Sequence, residues 1–228
     1  MPALQINNIP IKAIVFDYNG TLAKLNIDFN QMRQEVLALI SSYGIDAKEL
    51  PDPDDHILEI INSAGAILKA KSGKNAESFL YNAYEIIEQQ EIEAAHNGEL
   101  FEQTRDMLLR LAAAGITTGV ITRNCAAAIN IEFPDISSYC RVVICRDHVA
   151  NVKPHPEHLN KALQFLESPA RNSLMIGDHP LDIKTGKAAG TFTAGVLTGH
   201  FPEDDFRQAG ADIVLARAAD ILSYIDRP

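Results

Sequence analysis

The sequence is poor in cysteine and in positive charge. Its 228 residues include three cysteines, and 20 lysines and arginines stand against 30 aspartates and glutamates, which gives a formal net charge of −10. Three cysteines in a chain of this size favour reduced thiols and a cytoplasmic location over a disulfide framework. The excess of acidic residues argues against binding to nucleic acid or to an anionic membrane surface, because both attract basic faces.

Long apolar runs are also missing. No stretch approaches the roughly 20 apolar residues that a membrane-spanning helix needs, and the segment from Met1 to Gln5 lacks the basic and apolar regions of a signal peptide. The hydrophobic fraction of 46% is nevertheless high enough for a sizeable core. We therefore expect a folded protein without a membrane segment, built as one domain or as a core with a smaller insert.

The negative charge is concentrated in one part of the chain. Residues 23–99 hold 6 basic and 14 acidic side chains, whereas the remainder holds 14 and 16. Apolar residues recur there at spacings of three and four, which predicts amphipathic helices over residues 29–43, 57–68 and 79–87. Asp52 or Asp54 is expected to cap the second helix. The shift in composition predicts a helical insert that is distinct from the rest of the chain.

Outside the insert, short β-rich runs alternate with helical patterns. The runs cover residues 13–16, 117–121, 142–145, 174–176, 193–197 and 213–215, and the helical patterns cover residues 101–114, 156–167, 180–189 and 218–226. This alternation predicts right-handed βαβ units and a parallel sheet. The predicted fold class is α/β: a doubly wound parallel sheet of residues 1–22 and 100–228, interrupted after its first strand by an α-helical domain of residues 23–99.

Four short motifs stand where predicted strands end. They are Asp17-Tyr18-Asn19-Gly20-Thr21-Leu22, then Thr122, then Lys153-Pro154, then Gly177-Asp178 with Asp182 four residues on. Each is a weak signal alone, but their order and their places after β-like runs make them specific together. The carboxyl ends of parallel strands meet at one edge of the sheet, where open α/β sheets bind ligands.

Together the motifs resemble those of the haloacid dehalogenase superfamily, over most of residues 11–200 and closest to its phosphoglycolate phosphatase and β-phosphoglucomutase branch. The resemblance implies a helical cap and the hydrolysis of a small phosphate monoester. Asp17 is then the nucleophile that forms an aspartyl-phosphate. Mg²⁺ is the implied cofactor, held by oxygens of Asp17, Asp178 and Asp182 and by the backbone carbonyl of Asn19.

The same resemblance implies roles for the neighbouring residues. Thr122 is expected to donate a hydrogen bond to the phosphoryl group, and Lys153 to neutralise charge on the nucleophile and the phosphate. Asp182 is expected to orient Lys153 or to hold metal-bound water. The expected substrate-binding residues are Gly20, Thr21, Arg123 and Asn124, and the last two suit the start of a helix equally well.

Asn19 is where the chain departs from the family motif Asp-x-Asp-Gly-Thr. Family phosphatases carry an aspartate there, which protonates the leaving oxygen and later activates water, and an amide does neither. Such general acid–base catalysis is worth about 10²- to 10⁴-fold. A slow phosphatase, a dehalogenase-type hydrolase and a catalytically weakened phosphate-binding protein therefore all remain open. The intact Gly177-Asp178 pair favours the phosphatase, and deamidation at Asn19-Gly20 offers a route back to a carboxylate.

Other reactive side chains have simpler explanations. His155, His158 and His179 lack zinc-site spacing, so we predict no metal ligand among them. Cys125 and Cys145 are predicted to be buried structural thiols.

Lys69, Lys71 and Lys74 form the one basic cluster of the insert. They suit either a grip on an acidic group of the substrate or a favourable interaction with a helix C-terminus, and we favour the second. The chain is expected to be a monomer or a homodimer.

Overall fold

The structure, a computed structural model, describes residues 4–50, 56–72 and 74–225. It divides into two compact units, one of Met1–Asn26 with Ala95–Pro228 and the other of Ile27–Ala94. The strands are β1 (Gln5–Ile6), β2 (Ile9–Pro10), β3 (Ala13–Phe16), β4 (Thr117–Ile121), β5 (Val142–Ile144), β6 (Ser173–Gly177), β7 (Phe192–Val196) and β8 (Ile213–Leu215). The helices are α1 (Phe29–Ser42), α2 (Ile57–Ser72), α3 (Lys74–His96), α4 (Thr104–Ala113), α5 (Ala126–Glu132), α6 (Pro156–Leu166), α7 (Pro180–Ala189) and α8 (Glu203–Gln208).

Six of the strands form one parallel sheet in the order β5-β4-β3-β6-β7-β8. Strand β3 lies inside it, with Phe16 opposite Val120 of β4 and Ile176 of β6. All four residues of β3 are inaccessible to solvent, as expected for a parallel strand covered on both faces. The predicted doubly wound sheet with an α-helical insert after its first strand is confirmed.

The two faces of the sheet carry separate hydrophobic clusters, because successive side chains of a strand point to opposite faces. Ile14 and Phe16 pack with side chains of α4 and α5 on one face. Ala13 and Val15 pack with the apolar side of α6 on the other. Each face is therefore closed by helices, and the functional surface is left to the strand ends.

The second unit has its own helical packing. Asp28 caps α1 by accepting hydrogen bonds from the backbone N–H groups of Asn30 and Gln31. The rings of Tyr43 and Phe79 meet edge to face at 5.4 Å between centroids. The predicted capping residues of the second helix, Asp52 and Asp54, lie outside the described residues.

The chain segments on either side of the insert pair with each other in the first unit. Ala23 forms an antiparallel bridge with Leu100. The N–H of Lys24 donates to the carbonyl of Glu99 at 2.9 Å, and the N–H of Phe101 donates to the carbonyl of Leu22 at 3.0 Å. We call residues 22–24 and 99–101 the linker ribbon, and it begins at Leu22, the last residue of the first motif.

Two elements differ from their predicted form. The helix predicted over residues 101–114 starts at Thr104, because residues 99–101 are taken up by the ribbon. The last helical pattern forms a 3₁₀ helix over Ala218–Tyr224. Within it the Ser223 hydroxyl donates to the carbonyl of Asp220 at 2.8 Å, and such local bonds compete with α-helical ones. Within the described residues, no helix combines the length and apolar character needed to cross a membrane.

Candidate active site

Three neighbouring strands place the acidic and hydroxyl groups of the motifs side by side. Asp17 follows β3, Thr122 follows β4 and Asp178 follows β6. The order β4-β3-β6 makes these strand ends adjacent. The backbone continues the sheet pattern to the last position, because the N–H of Asp17 donates to the carbonyl of Ile176 at 2.8 Å. Lys153, from the third motif, reaches the same place from the loop before α6.

Lys153 is the centre of a buried charge cluster. Its Nζ lies 2.5 Å from Oδ1 of Asp17 and 2.7 Å from Oδ1 of Asp182. The relative exposure of Lys153 is 4%, that of Asp17 is 8% and that of Asp182 is 1%. Burial opposes the charge on Lys153, but Asp17 and Asp182 outweigh it and hold the pKa of the ammonium above its ordinary value. The lysine is therefore a fixed positive charge beside Asp17.

Asp178 brings a third carboxylate to the same place. Its Oδ1 accepts a hydrogen bond from the Thr21 hydroxyl at a long 3.4 Å. Burial and then the charge of Asp17 raise the pKa of Asp178 to about 9. Oxygen atoms of Asp17, Asp178 and Asp182 lie within 4.8 Å of one another. One lysine for three buried carboxylates leaves negative charge that a cation would neutralise, and an all-oxygen donor set suits Mg²⁺.

Asp182 has a second contact that fixes its direction. Its Oδ2 accepts the backbone N–H of His179 at 3.1 Å, while Oδ1 accepts from Lys153. His179 caps α7 in return, because its Nδ1 accepts the N–H of Leu181 at 3.0 Å. Both oxygens of Asp182 are thus engaged, which fits an orienting role beside Lys153 better than direct contact with a metal.

Glycines keep the space that these carboxylates fill. A Cβ atom on Gly20 or on Gly199 would lie 2.1 Å from Oδ2 of Asp178, and one on Gly177 would lie 2.1 Å from Oδ2 of Asp182. Gly20 also has a φ of +78°, which favours glycine. Gly199 was not predicted from the sequence, because the loop after β7 carries no motif and lies next to Asp178 only in the folded chain.

The segment after β4 contacts the loop of Lys153. The hydroxyl of Thr122 accepts the N–H of Asn124 at 3.1 Å, which leaves its proton available for a ligand. Arg123 donates from Nη1 to the carbonyl of Lys153 at 3.1 Å. Asn124 is buried, and its Oδ1 accepts the N–H of Cys125 at 3.1 Å. Arg123 therefore also orders the loop of Lys153, whereas the Asn124 side chain bonds to the residue that follows it.

Asn19 is half-buried, and its backbone forms a bridge with Ala23. The next N–H, that of Gly20, donates to the carbonyl of Ala23 at 2.7 Å, and the Gly20 carbonyl accepts the Thr198 hydroxyl at 2.5 Å. The first motif is therefore a tight turn held from two sides. Thr198 is another residue that the sequence analysis did not find.

The three histidines bond to backbone groups. His155 caps α6, with Nδ1 accepting the N–H of Glu157 at 3.2 Å. His158 is fully buried between Ile144 and Lys153, and burial lowers its pKa to about 4. His179, described above, caps α7.

The remaining reactive side chains have structural surroundings. Cys125, Cys140 and Cys145 are buried, and none of them forms a disulfide bond. Lys71 pairs with Glu49 at 2.6 Å within the insert. Lys69 and Lys71 both lie in the last turn of α2, where a helix favours positive charge.

Comparison with known proteins decides the family. The model of the haloacid dehalogenase-like hydrolase family matches residues 14–196. The chain belongs to this family. The predicted family and its class, a hydrolase, are confirmed.

Relatives match over nearly the whole chain. An N-acetylmuramic acid 6-phosphate phosphatase of Pseudomonas putida is 30% identical over 95% of this chain and 96% of its own. The pyrophosphatase PpaX of Anoxybacillus flavithermus is 28% identical over 94% of this chain and 97% of its own. Among solved structures, CbbY of Rhodobacter sphaeroides in complex with phosphate superimposes with a TM-score of 0.65 at 20% identity, covering 95% of this chain and all of that one. This last likeness concerns the fold alone.

Proposed function

We propose that this hydrolase is an Mg²⁺-dependent phosphatase that cleaves a small phosphate monoester through an aspartyl-phosphate on Asp17. The observation that carries the proposal is the buried set of Asp17, Asp178 and Asp182 around Lys153. A phosphatase needs an anionic nucleophile and groups that cancel the charge of the phosphoryl oxygens. The relatives named as phosphatases support the same reaction class.

The chemistry takes two displacements at phosphorus. A carboxylate oxygen of Asp17 attacks the phosphorus, the bond to the leaving oxygen breaks, and the phosphoryl group passes to Asp17. Water then attacks the same phosphorus, which releases inorganic phosphate and restores the carboxylate. Lys153 contacts Oδ1 of Asp17 and neutralises charge throughout, and the Thr122 hydroxyl donates to a phosphoryl oxygen.

The metal would be held by Asp17, Asp178 and the backbone carbonyl of Asn19. Bound there, Mg²⁺ supplies the positive charge that lets an anionic nucleophile approach an anionic phosphate. Gly20 and Gly199 matter for this role because they leave room for Asp178.

Proton transfer is the weak point of this site. The leaving oxygen must gain a proton and the attacking water must lose one, and the Asn19 amide supports neither step. We therefore propose a phosphatase with slow turnover and intact binding of phosphate. If turnover is slow enough to be negligible, the protein is the catalytically weakened phosphate-binding protein that the sequence also allows.

A dehalogenase is the second candidate, and Asn19 is the observation that favours it. Such an enzyme uses the aspartate nucleophile on carbon and needs no metal. Asp178 argues against a dehalogenase. A third buried carboxylate has no function in metal-free chemistry, and its ionised form is destabilised by burial and by the nearby charge of Asp17.

Two further features complete the proposal. Residues 23–99 are assigned as the cap domain that selects the substrate, so small esters should react and phosphoproteins should not. The three cysteines form no disulfide, which fits a reducing cytoplasm.

The test is a panel of phosphate monoesters and haloacids, each assayed with Mg²⁺ and with EDTA. The panel includes N-acetylmuramic acid 6-phosphate and inorganic pyrophosphate because relatives are named for them. We expect phosphate release that stops in EDTA, returns with Mg²⁺ and is absent from Asp17→Asn. Turnover of a haloacid in EDTA would establish the dehalogenase, and phosphate release by Asp17→Asn would refute the nucleophile.

A further inference from the structure

Lys153 stands in a loop, yet both of its backbone polar groups are held by side chains from elsewhere. Its N–H donates to Nδ1 of His158 at 3.3 Å, and its carbonyl accepts Nη1 of Arg123 at 3.1 Å. His158 belongs to α6 and Arg123 to the segment after β4. The residue is thus fixed at the main chain as well as through its ammonium group.

The His158 ring is a rigid bridge in this arrangement. Because Nδ1 accepts a hydrogen bond from the N–H of Lys153, the neutral ring carries its proton on Nε2. Nε2 lies 2.9 Å from the carbonyl of Ile144, at the end of β5, and donates to it. The ring therefore ties the loop to the sheet in one tautomer.

Arg123 is anchored in turn. Its carbonyl accepts Nη1 of Arg146 at 2.8 Å, and the N–H of Arg146 donates to the carbonyl of Asn124 at 3.1 Å. Arg146 is buried. The Arg123 side chain therefore joins the segment that carries Thr122 to the loop that carries Lys153, and Arg146 holds that segment through one side-chain donor and one backbone donor.

We propose that His158 and Arg123 are positioning residues that hold the main chain of Lys153, so that its ammonium reaches Asp17 and Asp182 together. The proposal rests on the role given to Lys153 above. A lysine side chain is long and flexible, and the two Nζ contacts at 2.5 and 2.7 Å need a fixed point at its base. A shift of about 1 Å in a placed group costs about 10²-fold in rate.

His158 allows a matched pair of substitutions. Asparagine puts an amide close to the position of ring Nδ1, so His158→Asn keeps an acceptor for the N–H of Lys153. Glutamine reaches the position of Nε2, so His158→Gln keeps the donor to Ile144 and loses that acceptor. We expect His158→Asn to stay within about threefold of the wild-type kcat and His158→Gln to fall about tenfold or more, with KM of both within about threefold.

Arg123 provides an independent pair, which is useful if His158→Gln does not fold. Arg123→Leu should lower kcat by about tenfold, and Arg123→Lys should restore part of it because one donor remains. Leu166→Ala, at the far end of α6, serves as the control for lost packing and should lower thermal stability without lowering kcat.

The assays use the substrate and Mg²⁺ concentration established for the wild type, and Asp17→Asn is run beside them. Equal kcat values for His158→Asn and His158→Gln, together with equal values for the two Arg123 variants, would overturn the proposal. So would a loss of kcat in Leu166→Ala that matches theirs. If Asp17→Asn stays active, the proposed reaction fails instead, and the two failures are thereby distinguished.

Discussion

Asn19 is the residue that sets the expected rate. It lies in the turn after Asp17, at the position where family phosphatases carry their second aspartate. We expect Asn19→Asp to raise kcat on a phosphate ester about tenfold or more, because a placed general acid contributes at least that much. Dependence on Mg²⁺ should not change, because the metal contact assigned to this residue is its backbone carbonyl.

The control is the intact mass of the wild-type protein. Deamidation of Asn19 requires the backbone nitrogen of Gly20 to attack the side chain, but that N–H is bonded to the carbonyl of Ala23 at 2.7 Å. We expect the purified wild type to be fully amidated. A fully amidated wild type that turns over as fast as Asn19→Asp would show that another group transfers the proton.

Gly199 is expected to be as sensitive as a catalytic residue. In Gly199→Ala the added Cβ would stand 2.1 Å from Oδ2 of Asp178, so the carboxylate must move. We expect kcat to fall about 10²-fold and the Mg²⁺ concentration needed for half-maximal rate to rise. The control is His200→Ala, since His200 is exposed. Unchanged kinetics in Gly199→Ala would mean that Asp178 has no fixed place in the reaction.

Among single residues, those that could be predicted from the sequence are marked by the residues next to them in the chain. Asp17, Thr122 and Asp178 each follow a short apolar run, so their convergence follows from parallel strands alone. Gly199 and His158 carry no such signal, because their roles come from contacts across the fold: one leaves room for Asp178 and the other holds the backbone of Lys153.

The bounds of helices and strands were predicted best where the whole element is buried. Strand β3 is apolar throughout, and its bounds were predicted correctly because a central strand tolerates little else. The hairpin of β1 and β2 was missed, although Asn7 and Asn8 between them have φ values of +52° and +64° and are typical of its turn. Two-residue strands are too short for periodicity to reveal.

A buried hydroxyl adds a side-chain hydrogen bond to the backbone bonds of the linker ribbon. Thr104 Oγ1, at the start of α4, donates to the carbonyl of Leu22 at 2.6 Å. Thr104→Val keeps the shape and removes the bond, so we expect the free energy of unfolding to fall by about 1 kcal/mol. The measurement is urea denaturation. Thr117→Val removes an exposed bond of the same kind, to Lys12 at 3.2 Å, and should cost less than about 0.5 kcal/mol. If both variants lose the same free energy of unfolding, the Thr104 bond to the ribbon contributes no more to stability than an exposed hydrogen bond does.

For the molecule as a whole, His158 links stability to acidity. Burial lowers its pKa to about 4 from 6.5, so between these values the unfolded chain binds more protons than the folded one. Stability should therefore fall as the pH falls through this window, by on the order of 3 kcal/mol from this group.

The measurement is urea unfolding of the wild type and His158→Asn at pH 7, 6 and 5. The variant should lose less stability across the series, and comparing the two proteins cancels the contributions of the acidic residues. Parallel losses would show that the imidazole does not titrate differently on unfolding.

The pairing of Ala23 with Leu100 has a consequence for the evolution of the chain. The insert leaves the sheet-bearing unit and returns to it at neighbouring points, so β3 and α4 keep their spacing whatever lies between. The entropic cost of a closed loop grows by only about 0.6 kcal/mol for each doubling of its length. Genetic exchange at these two points can therefore replace residues 27–94 as a block. If the insert selects the substrate, as proposed above, a lineage would acquire new specificities in this way while the motif residues stay under separate selection.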